Sequence, residues 1–191
     1  MIYSFTKRVF DIVCAYVLLV LLFVPCCFIA VCIFLTSPGP VFYLTDRVGR
    51  MNRLFKMVKF RTMHINTPAL ATHLLSAPDR YLTQIGGFLR KYSLDEIPQL
   101  INILKGDMSF VGPRPALFNQ DDLVALRSAK GIQRLVPGLT GWAQVNGRDN
   151  LSIPVKAGFD EYYLLHQSFA FDIRILFITV IRVVKKEGVR Y

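Results

Sequence analysis

Phe88-Leu89-Arg90-Lys91-Tyr92-Ser93-Leu94-Asp95-Glu96-Ile97-Pro98-Gln99-Leu100 sets two adjacent carboxylates where a helix should begin. Ser93 and Glu96 have the spacing of a capping box, and Pro98 is best tolerated near a helix start. Leu94, Ile97, Ile101 and Leu104 then recur at helical spacing and are expected to face a core. Asp95 and Glu96 thus fall in or just before a first turn, where unpaired backbone N–H groups and the positive end of the helix dipole gather. That setting keeps a carboxylate ionised and also attracts phosphate. Arg90 and Lys91 add positive charge just upstream. A carboxylate so placed can attack phosphorus or hold a divalent cation. Taken alone, residues 93–96 read first as an ordinary cap, so the surroundings decide.

The surroundings are both apolar and basic. Hydrophobic residues make up 53% of the 191, the net charge is +10, and the mean hydropathy is +0.40. That pairing points to an anionic membrane surface or to phosphate-rich ligands. The length suits one domain with an appendage. Cys14, Cys26, Cys27 and Cys32 all lie in the apolar N-terminal segment, with no His at metal-ligand spacing, and imply no disulfide framework.

In that segment Lys7, Arg8 and Asp11 precede an apolar run from Ile12 to Leu35. At about 1.5 Å per residue such a run matches a hydrocarbon core of roughly 30 Å. It is too long for a signal-peptide core, and no small-residue cleavage site follows it. Pro25 removes a helix hydrogen bond in mid-run and should kink it. Residues 1–40 carry net +1 and the remainder +9. A straight span would leave Lys7 and Arg8 opposite a strongly basic domain, against the preference of positive charge for the cytoplasmic side. The favoured expectation is a re-entrant hairpin over residues 1–36, bent at Pro25, with a spanning helix as the alternative. Ser37-Pro38-Gly39-Pro40 then breaks the chain, and residues 37–191 form the globular part.

That part reads as α+β, mainly helical with a short β-hairpin. Strands are expected at 41–44 and 54–61, joined by a turn at 49–53. A spacing of two puts Lys59 and Arg61 on one strand face, where they could meet a common anion. Residues 64–80 are polar and weakly patterned, suiting a loop with a short helix, or a lid. His64 and His73 are isolated and receive no role. A short helix is expected at 85–92, and Gly106 suits a C-terminal cap. Gly112-Pro113-Arg114-Pro115 holds an arginine between two prolines, pre-positioned to fork onto a phosphate. Residues 119–126 read as helix. Residues 134–148 then gather three glycines, the only tryptophan, Gln144, Asn146, Arg134 and Arg148. That composition suits a ligand loop with an aromatic face, amide groups and a phosphate-binding arginine. It matches neither a Walker nor a Rossmann glycine pattern. Residues 159–184 read as an aromatic helical tail, suited to a membrane interface or to a core.

Four blocks together resemble a known family. Lys59-Phe60-Arg61-Thr62-Met63, the stretch from Thr83 to Leu100, residues 106–115 and residues 137–148 are similar, in order, to the signature blocks of the bacterial sugar transferases, the monotopic phosphoglycosyl transferase superfamily. The resemblance spans nearly the whole chain and looks like that family's minimal catalytic unit. It implies a membrane enzyme of the bacterial inner membrane, working on the cytoplasmic face. Such an enzyme moves a sugar-1-phosphate from a UDP-sugar to polyprenyl (undecaprenyl) phosphate, releasing UMP, at the start of O-antigen, capsule, exopolysaccharide or glycoprotein glycan assembly. By the same resemblance Asp95 is the nucleophile, Glu96 its catalytic partner, and Mg²⁺ the cofactor, held at Asp95. Lys59, Arg61, Arg90, Arg114, Gln144, Asn146 and Arg148 are the candidate substrate- and phosphate-binding residues. Membrane lipid is an expected partner, and a homodimer is compatible with the family. One departure stands out: the family's kink is often Ser-Pro, whereas this chain has Val24-Pro25.

Two other readings use the same features. A membrane-anchored, non-catalytic anion binder would explain the charge. Its basic residues, however, are dispersed and carry no nucleic-acid motif, so nucleic acid is not an expected partner. A nucleotide-sugar phosphohydrolase would use the same carboxylates without needing lipid.

Overall fold

The computed structural model describes residues 2–68, 78–147 and 151–185. The order of elements is α1 (Ile2–Leu21), α2 (Phe23–Thr36), β1 (Phe42–Val48), β2 (Leu54–Phe60), α3 (Gly86–Lys91), α4 (Gln99–Lys105), β3 (Ser109–Val111), β4 (Ala116–Leu117), α5 (Asp121–Ala129), β5 (Gly138–Thr140), α6 (Trp142–Val145), α7 (Ile153–Leu165) and α8 (Phe169–Lys185). The α+β expectation holds, with more sheet than one hairpin. β1 pairs antiparallel with β2, from Phe42 opposite Phe60 to Val48 opposite Leu54. β4 adds to the other edge of β1, and β3 and β5 form a separate parallel pair. The parallel pair was not foreseen because its strands are three residues each, too short to show a period.

Among the described residues no single helix is long and apolar enough to cross a membrane. α1 and α2 meet that test together, bent by 61°. The break falls at Leu22, and Pro25 sits in the first turn of α2. Backbone bonds from Leu22 N–H to Leu18 O and from Cys26 N–H to Leu22 O, both 2.8 Å, continue through the bend. The helix starts ten residues before the apolar run, and its three charged residues are bound inside the protein. Lys7 Nζ pairs with Asp172 Oδ2 on α8 at 2.7 Å. Arg8 donates to Ile103 O at 2.6 Å and Leu104 O at 2.8 Å, carbonyls at the negative end of α4. Asp11 Oδ1 accepts the Phe110 N–H at 3.1 Å. Lys7 and Arg8 of the charge argument are therefore both held by partners within the protein. The first is neutralised by a buried partner, and the second caps a helix.

The main core joins Ala15 of α1 to Met57, Leu100, Ile103, Phe110, Val145, Tyr163 and Ile175. A smaller one joins Ile33 of α2 to Phe60 and Leu89. Of the four residues expected to face a core, Leu94, Ile97 and Leu104 pack against one, and Ile101 alone is corrected. Ile101 is 38% exposed, and Leu100, Asn102 and Ile103 are buried as well. A separate 3₁₀ turn, Leu94–Glu96, precedes Pro98, so the helical phase restarts at Gln99. Gly106 does close α4, at φ 93°. The tail is two helices rather than one, because the chain turns at residues 166–168 and Ser168 Oγ accepts the Phe171 N–H at 3.2 Å to begin α8.

Apolar side chains remain outside. Phe23, Val24, Phe28, Phe34 and Leu35 of α2 are each at least 66% exposed, and Phe169, Ile173, Phe177, Val180 and Val184 form an exposed stripe on α8. Patches this extensive require an apolar partner or lipid.

The β1–β2 loop supplies a stability test. Met51 and Asn52 are both left-handed, with φ 56° and 59°. Asn tolerates that region and Met does not. Met51→Gly is expected to stabilise the fold by about 1 kcal/mol, read as a higher midpoint in thermal denaturation in detergent micelles.

Candidate active site

The turn carrying Asp95 and Glu96 is held from three sides. α3 leads into it, Leu94 packs on the smaller core beside α2, and α4 follows. Ser93 enters at φ 55°, and no side-chain cap bond forms there. The capping-box expectation is therefore corrected, because the Glu96 carboxylate turns to cations instead of backbone. Lys59 Nζ lies 2.7 Å from Glu96 Oε1 and 3.8 Å from Asp95 Oδ2. Arg114 Nη2 reaches the same Glu96 oxygen at 3.3 Å. A 3₁₀ turn sets successive side chains about 120° apart, yet one ammonium comes within 4 Å of both carboxylates. Glu96 is the tightly held member, and Asp95 stands at longer range from the shared cation.

Asp95 is 7% exposed. Burial pushes its carboxyl above the ordinary carboxylate range, with Lys59, Arg90 and Arg114 opposing and Glu96 reinforcing. The sequence expectation ran the other way, toward a carboxylate kept ionised by a helix start. Pro98 separates the pair from the N–H groups of α4, so burial dominates. Arg90 is likewise lowered by burial, with both carboxylates opposing, and its Nε donates to Thr62 Oγ1 at 2.9 Å.

The remaining candidates divide. Lys59, Arg90 and Arg114 surround the acidic pair. Arg61 does not share the Lys59 face, because β2 ends at Phe60. Its buried guanidinium donates to Pro38 O and, at 2.6 Å, to Ser37 O, fastening the segment after α2. In the 134–148 stretch Gln144 is buried, and neither of its amide atoms has a partner among the described residues. Asn146 Nδ2 donates to Trp142 O at 2.7 Å. The expected aromatic face is corrected, since Trp142 packs against Tyr162 and Phe171 under Arg174. Arg148 and His73 lie outside the described residues, as do residues 69–77 of the expected lid.

Sequence reading passed over Asn102, Thr62, Arg127 and Asp160. Asn102 accepts the Val58 N–H at 3.1 Å and donates to Lys56 O at 2.8 Å, bracketing the strand that carries Lys59. A lone amide within Leu100-Ile101-Asn102-Ile103-Leu104 was the available signal.

Among the described residues no three His, Cys, Asp or Glu side chains gather to hold a metal. Asp95 and Glu96 offer two carboxylates. Mg²⁺ is usually bound by one or two carboxylates, with water and substrate phosphate completing its shell. The donor set therefore fits a substrate-completed ion rather than an all-protein cage.

Residues 2–186 match the family model described as bacterial sugar transferase. The chain is 40% identical over 185 residues to an uncharacterized sugar transferase, EpsL, of Bacillus subtilis, covering 96% of this chain and 90% of that one. It is 39% identical to the UDP-glucose:undecaprenyl-phosphate glucose-1-phosphate transferase of Escherichia coli, covering 92% of this chain and 39% of the relative. It is also 39% identical to the UDP-N-acetylgalactosamine-undecaprenyl-phosphate N-acetylgalactosaminephosphotransferase of Aeromonas hydrophila, covering 99% and 46% respectively. The chain thus spans less than half of these two longer relatives.

The raised carboxyl of Asp95 gives a test of the site's electrostatics. A folded pKa above the unfolded one means that the group favours folding at low pH and loses that contribution as pH rises through the folded pKa. Asp95→Asn removes the disfavoured charge. Its thermal midpoint is expected to exceed that of the native chain at pH 7, with the gap closing toward pH 4; a lower midpoint at pH 7 would contradict the assignment.

Proposed function

The chain belongs to the bacterial sugar transferase family, and from that premise we propose that it transfers a sugar-1-phosphate from a UDP-sugar to polyprenyl phosphate. The observation that carries the reading is the placement of Asp95 and Glu96 on one buried turn, with Lys59 bridging both and Arg114 at Glu96. Phosphoryl transfer is governed by positioning and charge neutralisation, and this cluster supplies both.

In the first displacement a carboxylate oxygen of Asp95 attacks the β-phosphorus of the donor. The bond from that phosphorus to the bridging oxygen breaks, and UMP leaves with the electron pair, giving a phosphosugar on Asp95. In the second, an oxygen of polyprenyl phosphate attacks the same phosphorus and the Asp95 carboxylate is released. The looser hold on Asp95 suits the attacking group. Glu96, gripped by Lys59 and Arg114, fixes those cations beside the transferred phosphate and serves in proton handling. Arg90 adds charge from the side of Thr62. Bound Mg²⁺, held by Asp95, would supply further neutralisation of the diphosphate. Burial of Asp95 withholds water from the intermediate and raises its readiness to be protonated, so turnover should fall on the acid side.

The acceptor explains the outer surface. Residues 1–36 act as a re-entrant membrane hairpin, bent through Pro25, whose missing N–H weakens the helix where α1 and α2 part. The exposed stripe of α8 rests at the interface. The catalytic part, residues 37–191, then works at headgroup height on the cytoplasmic face of the inner membrane, initiating a surface glycan.

Detergent-solubilised protein, given UDP-glucose, UDP-galactose, UDP-N-acetylglucosamine or UDP-N-acetylgalactosamine with Mg²⁺, should release UMP continuously only when polyprenyl phosphate is present. Lipid-independent turnover would assign hydrolysis instead. Asp95→Asn should abolish both turnover and the phosphosugar adduct sought by mass spectrometry. In a cysteine-free background, Ser4→Cys and Pro40→Cys should both resist a membrane-impermeant maleimide added from the periplasm; labelling of the first alone would establish a span.

A further inference from the structure

A further arginine stands behind Arg114. Arg127 of α5 is 8% exposed. Its Nε and Nη2 both donate to Asp160 Oδ2 on α7, at 3.0 and 2.6 Å. Its third arm, Nη1, donates to the backbone carbonyl of Arg114 at 2.8 Å. The loop it touches is pinned at each neighbouring peptide. The Gly112 N–H donates to Thr140 O and the Gly138 N–H to Pro113 O, both at 2.9 Å, while Arg47 Nη1 lies 3.4 Å from Pro115 O. Pro113 and Pro115 have no N–H to contribute. The carbonyl of Arg114 is therefore fixed by a side chain, at the residue whose guanidinium meets Glu96.

We propose that Arg127, oriented by Asp160, is a positioning residue for the transfer reaction and acts through Arg114. This rests on the transferase reading above. Asp160 holds two arms of the guanidinium on a single oxygen, which leaves the remaining arm aimed at the loop. The backbone of Arg114 is fixed, and its side chain extends to Glu96 from a set origin. A buried ion pair is an inefficient way to join α5 to α7, since a well-packed apolar pair usually does as well or better. What an apolar pair cannot supply is the third hydrogen bond. A guanidinium, with donors in a rigid fork, grips a carboxylate with two arms and holds the third at a set angle for a carbonyl. Lysine keeps the charge opposite Asp160 and loses the fork.

The test is a double-mutant cycle on kcat/KM for UMP release with the active donor of the same panel, with thermal midpoints recorded in parallel. Arg127→Lys should lower kcat/KM on the order of tenfold, as a small misplacement of a positioned group does, while the midpoint moves by only a few degrees. In an Arg114→Ala background the same substitution should cost less than about twofold, because the group it positions is gone. A purely structural role predicts the full factor in both backgrounds, and that additivity would overturn the inference, as would full activity of Arg127→Lys alone. If Arg127→Lys does not fold, Asp160→Asn enters the same cycle with the same expectations. An absence of UMP release by the native chain with every donor would overturn the transferase reading and this inference together; an active native chain with additive losses would overturn the inference alone.

Discussion

The relation between α4 and β2 depends on one buried amide. Asn102, 1% exposed, takes the place of a neighbouring strand along β2, accepting from Val58 and donating to Lys56. Two backbone groups are satisfied by a side chain that belongs to the helix following the acidic turn. Strand and helix are thereby held in register, and Lys59, one residue past Val58, arrives beside Glu96. An apolar residue of similar volume would pack, but it would leave a part-buried N–H and C=O without this partner. The ammonium at the site is thus located by backbone accounting on the strand, not by its own attraction to the carboxylates.

The opposite wall is set by close approach of backbone. A Cβ at Gly112 would overlap the Val136 carbonyl, and one at Gly141 would overlap the carbonyl of Gly112. The loop carrying Arg114 lies directly on the chain around β5, closer than any side chain permits. The geometry of the candidate site here comes from contacts between main chains. The cost falls on the charges, since Asp95 and Asp160 are both pushed upward by burial. The site is assembled against a part of the protein's own stability.

Much of this was legible in the sequence. The acidic pair, the β1–β2 hairpin, α3, the cap at Gly106 and the α+β class follow from spacing and turn chemistry, which act locally. What escaped was set by tertiary partners. Ser93-Leu94-Asp95-Glu96 has the letters of a capping box, but Lys59 and Arg114 compete for Glu96 and win. Arg61 lies one residue beyond the end of its strand, so alternation assigned it the wrong neighbours. Trp142 read as a ligand platform because its covering rings, Tyr162 and Phe171, lie on later helices. Arg127 and Asp160 gave no signal at all, since their meaning is a contact across 33 residues.

The polar grip of α1 has a consequence for biosynthesis. The partners of Lys7, Arg8 and Asp11 lie 165, 95 and 99 residues farther along the chain. At roughly 5–20 residues per second, the ribosome completes the segment holding Asp172 on the order of ten seconds or more after α1 has emerged. Throughout that interval Lys7 lacks its partner, and Arg8 and Asp11 wait for Ile103, Leu104 and Phe110. Under the membrane reading proposed above, a bilayer shelters the apolar face of the first helix over that interval, and residues 1–36 enter it before the domain they support has been synthesised. Assembly then runs backward in sequence, with the last helix closing onto the first.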